Sequence, residues 1–183
     1  MIRLTDGTVT LRPFRREDTQ RLAELANNEK ISINLRDGFP SPYTPDDAGR
    51  FIEMALATSP LQIFAIEYEG EYVGNIGLHK RDDVYRLSAE IGYFLGEEYW
   101  HKGIMPRAVK LICDYGFREL DIIRIDTGVF DYNMASQRVL EKCGFVKEAV
   151  FKKSVIKKGK ICDEVRYALI REENGSLPEL RLL

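Results

Sequence analysis

Apolar residues change their spacing several times along this chain, and each change marks a new element. Val9 and Leu11 alternate with polar neighbours, which predicts a strand over 9–14 ending at Pro13. From 17 to 29 the period lengthens, so that Leu22, Leu25 and Ala26 share one face of a helix. Residues 31–44, which include Asn34-Leu35-Arg36-Asp37-Gly38-Phe39-Pro40, hold too many breakers for a long helix. A second helix is expected over 45–58, with Pro45 at its first position and Phe51, Met54 and Ala55 facing inward.

Two alternating runs, 61–68 and 72–79, read as a hairpin turning near Glu69-Gly70. On the second of them Ile76 and Leu78 take one face while Asn75, Gly77 and His79 take the other. A further strand over 87–95 puts Glu90, Gly92 and Phe94 on one side. Met105, Ala108, Val109, Ile112 and Tyr115 then recur at helical spacing up to about Leu120. Residues 122–130 are β-rich, and a helix from Asn133 is stopped by Gly144 in a left-handed cap. The runs 145–156 and 161–170 form a last hairpin around Lys158-Gly159. The order β-α-α-β-β-β-α-β-α-β-β predicts an α/β fold with a mixed sheet and helices on both faces. At 183 residues the chain suits one domain, 1–183, with 172–183 as a loosely held tail around Gly175 and Pro178.

Composition narrows the function classes. Apolar residues make up 44%, charged residues 31%, and the net charge is −2, the profile of a soluble globular protein without bulk nucleic-acid affinity. Three cysteines, Cys113, Cys143 and Cys162, sit at no metal-ligand spacing and read as reduced and structural. With only His79 and His101 besides, no metal site is expected. The start, Met1-Ile2-Arg3-Leu4-Thr5-Asp6, lacks the apolar run of a signal peptide and no segment approaches a membrane span, so a cytoplasmic location is expected. Neither a P-loop nor a Rossmann fingerprint is present. Base rates allow a homodimer, and the sequence leaves the oligomeric state open.

The chemistry concentrates at Tyr99-Trp100-His101-Lys102-Gly103-Ile104-Met105, a glycine turn between a strand and a helix. First-turn N–H groups have no partner inside their helix, and the macrodipole places positive charge there, so a phosphate is a natural ligand. On its own the segment is equally an ordinary strand-to-helix connection. About thirty residues on comes Asn133-Met134-Ala135-Ser136-Gln137-Arg138-Val139-Leu140-Glu141-Lys142-Cys143-Gly144-Phe145, after the strand-like stretch 122–130. Together with the opening Val9-Thr10-Leu11-Arg12-Pro13-Phe14 these segments resemble the GNAT superfamily of acetyl-CoA-dependent N-acetyltransferases, in particular its Rim-type branch, which acts on ribosomal-protein N-termini.

The resemblance implies a mostly antiparallel twisted sheet and acetyl-CoA as co-substrate, with an amine as acceptor. It implies that His101, Lys102, Gly103, Ile104 and Met105 hold the CoA pyrophosphate, and that Asn133 and Ser136 border the pantetheine. Main chain at Tyr93, Phe94 and Leu95 would line the pantetheine and polarise the thioester carbonyl. Two positions depart from the family pattern: Met105 and Pro106 stand where a small residue and a hydroxyl are usual, and Leu140 replaces a frequent tyrosine. The resemblance then implies Ser136 as the proton donor to the leaving thiolate, the alternative being a plain first-turn helix residue. Glu90 is the candidate base, the alternative being a solvated or salt-bridged strand carboxylate. Asn133 reads as a helix cap and, as the resemblance implies, a pantetheine contact at once, the alternative being a cap alone.

On the acceptor side Asn34 and Arg36 are candidate substrate contacts, since residues 34–39 fall where the family's acceptor loop would be, and His79 is a third; the alternatives are a solvated loop arginine and a structural histidine at a strand end. Lys152, Lys153, Lys157, Lys158 and Lys160 cluster at the last hairpin as a charged surface. Two other readings stand beside the enzyme. One is an acyl-CoA-binding module without turnover, motivated by Met105, Pro106 and the missing tyrosine. The other is a ribosome- or RNA-associated protein that uses the basic hairpin 152–160.

Overall fold

Glu69 and Gly70 both take positive φ, 53° and 83°, the conformation a two-residue hairpin needs. They join β3 (Ile63–Tyr68) to β4 (Glu71–Lys80) in the computed structural model, which describes residues 2–171; the expected loose tail 172–183 lies outside the described residues. Lys158 and Gly159, at φ 47° and 75°, do the same for the last hairpin, β7 (Val146–Lys157) and β8 (Lys160–Ile170). The remaining strands are β1 (Leu4–Thr5), β2 (Val9–Arg12), β5 (Ser88–Leu95) and β6 (Arg124–Phe130). All eight form one sheet in the order β1-β2-β3-β4-β5-β6-β8-β7. Every neighbouring pair is antiparallel except β5 and β6.

Five α-helices flank the sheet: α1 (Asp18–Ala26), α2 (Glu29–Ser32), α3 (Pro45–Leu56), α4 (Ile104–Glu119) and α5 (Met134–Lys142). The helix α4 lies on the face carrying Phe64 and Leu78. There the Phe64 and Tyr115 rings meet edge to face at 5.2 Å, and a side chain at Gly116 would strike Leu78. On the other face, Arg12 of β2 is buried and reaches α1, donating to both oxygens of Asp18 at 2.7 and 2.8 Å and to Glu67 at 2.6 Å. A buried guanidinium is tolerable only with such complete pairing.

Three expectations need correcting. The helix expected over 17–29 ends at Ala26, because two asparagines interrupt it. Asn27 accepts the Tyr43 N–H, and Asn28 caps the separate short helix α2 by accepting from Lys30 N–H at 2.9 Å. In α3 the inward stripe is Ala48, Ile52 and Ala55, while Met54 is 48% exposed. Pro45 does stand at the first position, behind a Thr44–Asp47 capping box. The strand β1, two residues long, is too short to leave a pattern. Pro106 is the third residue of α4, so the N–H it lacks belongs to that position.

Candidate active site

The strands β5 and β6 pair side by side only from Ser88–Arg124 to Glu90–Asp126, after which they part. A fork opens between them as β5 runs on to Leu95 and β6 to Phe130. The Leu87 carbonyl accepts from Ile123 at 2.9 Å on the β6 side, and the Gly96 N–H donates to Val73 at 2.9 Å on the β4 side. Alternation along the strand therefore turns the backbone of Tyr93 and Leu95 into the fork, past the last rung. The Leu95 carbonyl takes the Trp100 indole N–H at 2.8 Å. The Tyr93 N–H faces the fork past the last rung.

The same alternation relocates Phe94. Its backbone faces Asn75 of β4 rather than the fork, and its ring lies 5.9 Å from that of Phe39 on the opposite face of the sheet. The Phe94 main chain is thus turned away from the fork, and its ring joins Phe39 on the other face.

At the foot of the fork, α4 begins after a turn in which His101 and Gly103 both take positive φ, 63° and 73°. Gly103 is the N-cap and offers no side chain, so no cap competes for the first N–H groups of the helix. A Cβ at Gly103 would meet nothing within 4 Å, which shows that the glycine serves backbone conformation rather than space. Ile104 and Met105 are buried and anchor the turn, and Lys102 holds its ammonium 5.2 Å from the centre of the Tyr99 ring. Cys143, at the end of α5, donates its thiol to the Pro106 carbonyl at 3.4 Å and ties the two helices together.

The start of α5 faces the fork from the other strand. Asn133 is its cap, its Oδ1 accepting from Ser136 N–H at 3.2 Å, which leaves the side-chain NH2 free to donate. Ser136 Oγ lies 2.8 Å from the Tyr93 hydroxyl. Burial pushes the Tyr93 phenol well above its ordinary pKa, so it stays protonated. Leu140, at the position of the frequent family tyrosine, is fully buried in the core. The Tyr93 hydroxyl is the group that sequence reasoning missed. Its only signal was the alternation placing Tyr93 with Ile91 on the helix-facing side.

The opposite face of β4 and β5 carries Asn75, Gly77 and His79 beside Glu90, Gly92 and Phe94, paired in register. Ile63 packs over Gly77, whereas the nearest atom to where a Cβ at Gly92 would sit is His79 Nε2, at 3.8 Å. Residues 33–44 lie over it: Phe39 contacts Tyr43 at 4.9 Å as well as Phe94, and Arg36 ion-pairs with Glu90. Arg81 approaches the other Glu90 oxygen at 4.0 Å. Glu90 is therefore held as a salt-bridged carboxylate, with Arg36 on top, 75% exposed. His79 is exposed at the strand end, and Asn34 donates to the Lys30 carbonyl at 2.9 Å, closing the end of α2. Asn34 thus serves its own helix.

Where β5 and β6 part, buried Asp126 receives Arg81 at 2.8 Å through two nitrogens, Arg124 at 3.0 Å and Arg166 at 3.0 Å. Burial alone would raise its pKa; the Arg81 and Arg124 hydrogen bonds more than offset that and hold it below the usual carboxylate value. The β7–β8 tip leans on α2 and the loop, Lys157 pairing with Asp37 at 2.7 Å and Lys158 with Glu29, while Tyr132, between β6 and α5, donates its hydroxyl to the Ile33 carbonyl at 2.6 Å. Lys152 pairs with Asp163 at 2.8 Å. Three lysines of the basic hairpin thus answer carboxylates of this chain.

Among the described residues no group of His, Cys, Asp or Glu is arranged to hold a metal, the three cysteines are free, and no helix is long and apolar enough to cross a membrane.

Residues 8–146 match the family model of the acetyltransferase (GNAT) domain. An uncharacterised N-acetyltransferase of Bacillus subtilis (strain 168), YnaD, is 27% identical over 171 residues, 93% of this chain and 98% of that protein. The spermidine N(1)-acetyltransferase of Escherichia coli (strain K12) is 27% identical over 172 residues, 91% of this chain and 88% of that protein. The solved structure of RimL, a ribosomal L7/L12 alpha-N-protein acetyltransferase in complex with coenzyme A, superposes with a TM-score of 0.81 at 20% identity, covering 93% of this chain and 98% of that one. At that identity the likeness is one of fold. With a family match spanning most of its length, laid over a forked sheet and a glycine turn that suit a thioester and its phosphates, the chain belongs to the GNAT acetyltransferases and transfers acetyl groups from acetyl-CoA to an amine.

Proposed function

We propose that the fork receives the pantetheine of acetyl-CoA and that a primary amine attacks the thioester directly from the Glu90–Phe94 face. The observation that carries this reading is the open Tyr93 N–H in the fork, with Ser136 beside it and the α4 turn at its foot. In this arrangement the pyrophosphate rests on the turn formed by His101, Lys102, Gly103, Ile104 and Met105. The free NH2 of Asn133 donates to the pantetheine.

The amine nitrogen adds to the carbonyl carbon, and the Tyr93 N–H meets the oxyanion that forms. As the tetrahedral intermediate collapses, the C–S electron pair goes to sulfur, and Ser136 supplies the proton that makes it a thiol. Glu90, released from Arg36 by the incoming acceptor, takes a proton from the nitrogen. Glu90 returns that proton to solvent and Ser136 regains one from solvent, so the cycle closes without a covalent enzyme intermediate.

Acceptors that fit are a protein N-terminus, an amino acid or another small amine. A carboxylate already faced by Arg36 and Arg81 has little to offer a polycation, which ranks a polyamine below an N-terminal amine. The Rim-type branch is the corresponding subfamily reading, and the RimL likeness supports it at the level of fold. The test is CoA release measured over a panel of short peptides, free amino acids and polyamines, repeated with Ser136→Ala and Glu90→Gln. We expect turnover with a peptide N-terminus, a kcat loss of roughly 10²-fold for Ser136→Ala, and loss of the acidic limb of the pH–rate profile for Glu90→Gln. Wild-type kcat in Ser136→Ala, under conditions where chemistry limits turnover, removes the serine from the mechanism.

A further inference from the structure

We infer that Tyr93 is a positioning residue for the leaving-group proton: its hydroxyl donates to Ser136 Oγ and thereby points the serine's hydrogen into the fork. The inference rests on the reading of Ser136 just proposed, and extends it to a residue that reading uses only through its main chain.

A serine hydroxyl has one hydrogen, two lone pairs and a free rotor, so an isolated Ser136 would donate in several directions. Near a helix start, the directions open to it include a carbonyl of its own turn. Here Oγ has a single hydrogen-bond partner among the described residues, the Tyr93 hydroxyl at 2.8 Å. Of the two groups, the phenol is the more acidic and the better donor. With the phenol proton directed at Ser136, the serine accepts, and its own hydrogen is left without an acceptor in the protein. The open direction is the gap between β5 and β6.

Three features hold the pair in place. Tyr93 is fixed by β5, whose backbone pairs with β4 through this stretch. Ser136 is fixed by the Asn133 cap on its own N–H, at 3.2 Å. The hydroxyl of Tyr93 belongs to the same residue whose N–H faces the fork, so the proton donor for sulfur and the oxyanion contact are held in register by one rigid strand. Tyr93 gives up no proton in the cycle. Burial keeps its phenol neutral, and Ser136 is restored by solvent as before.

The test is a double-mutant cycle in single-turnover kinetics with saturating acetyl-CoA, using wild type, Tyr93→Phe, Ser136→Ala and the double variant. Tyr93→Phe keeps the ring and strand packing and deletes only the hydroxyl; thermal unfolding and CoA affinity confirm that fold and cofactor site are intact. We expect Tyr93→Phe to slow the acetyl-transfer step roughly tenfold, the worth of one hydrogen bond, with the KM for acetyl-CoA within about twofold. Combined with Ser136→Ala it should add nothing, because its effect passes through the serine. Equal slowing by Tyr93→Phe in both backgrounds means the phenol acts on the strand rather than on Ser136 and overturns the inference, as does a Tyr93→Phe enzyme at the wild-type rate. In either case a slow Ser136→Ala leaves the proposed mechanism standing. A Ser136→Ala enzyme at the wild-type rate overturns both.

Discussion

The two sides of β5 are built from different materials. Toward α4 and α5 the strand meets a buried apolar layer that includes Ile104, Met105, Ala108, Ile112 and Leu140, and it offers the fork main chain. Toward α2 and residues 33–44 the Phe39, Tyr43 and Phe94 rings are rimmed by ion pairs whose partners are largely exposed. Arg36 is 75% exposed against Glu90, Asp37 is 78% exposed against Lys157, and Glu29 is 78% exposed against Lys158. Apolar packing is insensitive to salt and costly to alter, whereas exposed ion pairs contribute roughly 0–1 kcal/mol and are screened within about 10 Å at ordinary ionic strength. On the proposed reading the donor side is the rigid half of the site, and the acceptor side is the adjustable one.

Substitutions on each side should break this contrast if it is wrong. The largest effect is expected at the donor side, from Gly103→Glu. Its Cβ has room, but the positive φ costs about 1–2 kcal/mol, and a carboxylate is placed where phosphate would sit. Calorimetry should show acetyl-CoA affinity reduced by roughly 100-fold or more, with the fold retained. Unchanged affinity would take the pyrophosphate away from this turn.

Next is Asp126→Asn at the branch point of the fork, which leaves three arginines facing a neutral amide. Breaking a fully buried pair costs about 3–5 kcal/mol; with Arg81 30% exposed, a loss of about 2 kcal/mol in urea unfolding is expected. The pH dependence has a definite sign. A carboxylate whose pKa is lowered by folding adds stability above its unfolded pKa of about 3.9, and that stability is lost as pH falls through the folded value. The gap between wild type and variant should therefore narrow below about pH 4.

Asn133→Asp tests the double role of the cap. Aspartate caps as well as asparagine but has no NH2 to give, so thermal stability should stay near wild type while acetyl-CoA binds roughly tenfold more weakly. Lower stability with unchanged binding would leave Asn133 a cap alone. The smallest effect is expected on the acceptor side. Asp37→Asn, which removes the partner of Lys157, should change unfolding free energy by less than about 1 kcal/mol. It should raise the acceptor KM at low salt and lose that effect in about 0.5 M KCl.

What was legible in the sequence was local. Gly144, at φ 88°, stops α5; Pro45 opens α3; and the two hairpins turn at the residues that their dipeptides mark. The periodicity of α4 needed only its own residues, and Met105, Ala108, Val109, Ile112 and Tyr115 are all buried. Met54 failed because an apolar residue on the rim of a helical stripe looks the same as one at its centre, and Ile52 held the centre. The side-chain faces of Glu90, Gly92 and Phe94 were readable from alternation. The direction of the Phe94 amide was not, because it depends on which neighbouring strand pairs where. Tyr93 and Ser136 lie 43 positions apart, and nothing in a single sequence joins them.

The alternation of β5 has a bearing on descent. Residues 91, 93 and 95 belong to the helix-facing side and 90, 92 and 94 to the floor on the other side, so on the proposed reading the two substrates would be met by interleaved but separate sets of positions. A lineage can exchange the floor residues and inherit the donor machinery whole. Drift in what is acetylated and constancy in what supplies the acetyl group are then properties of one strand.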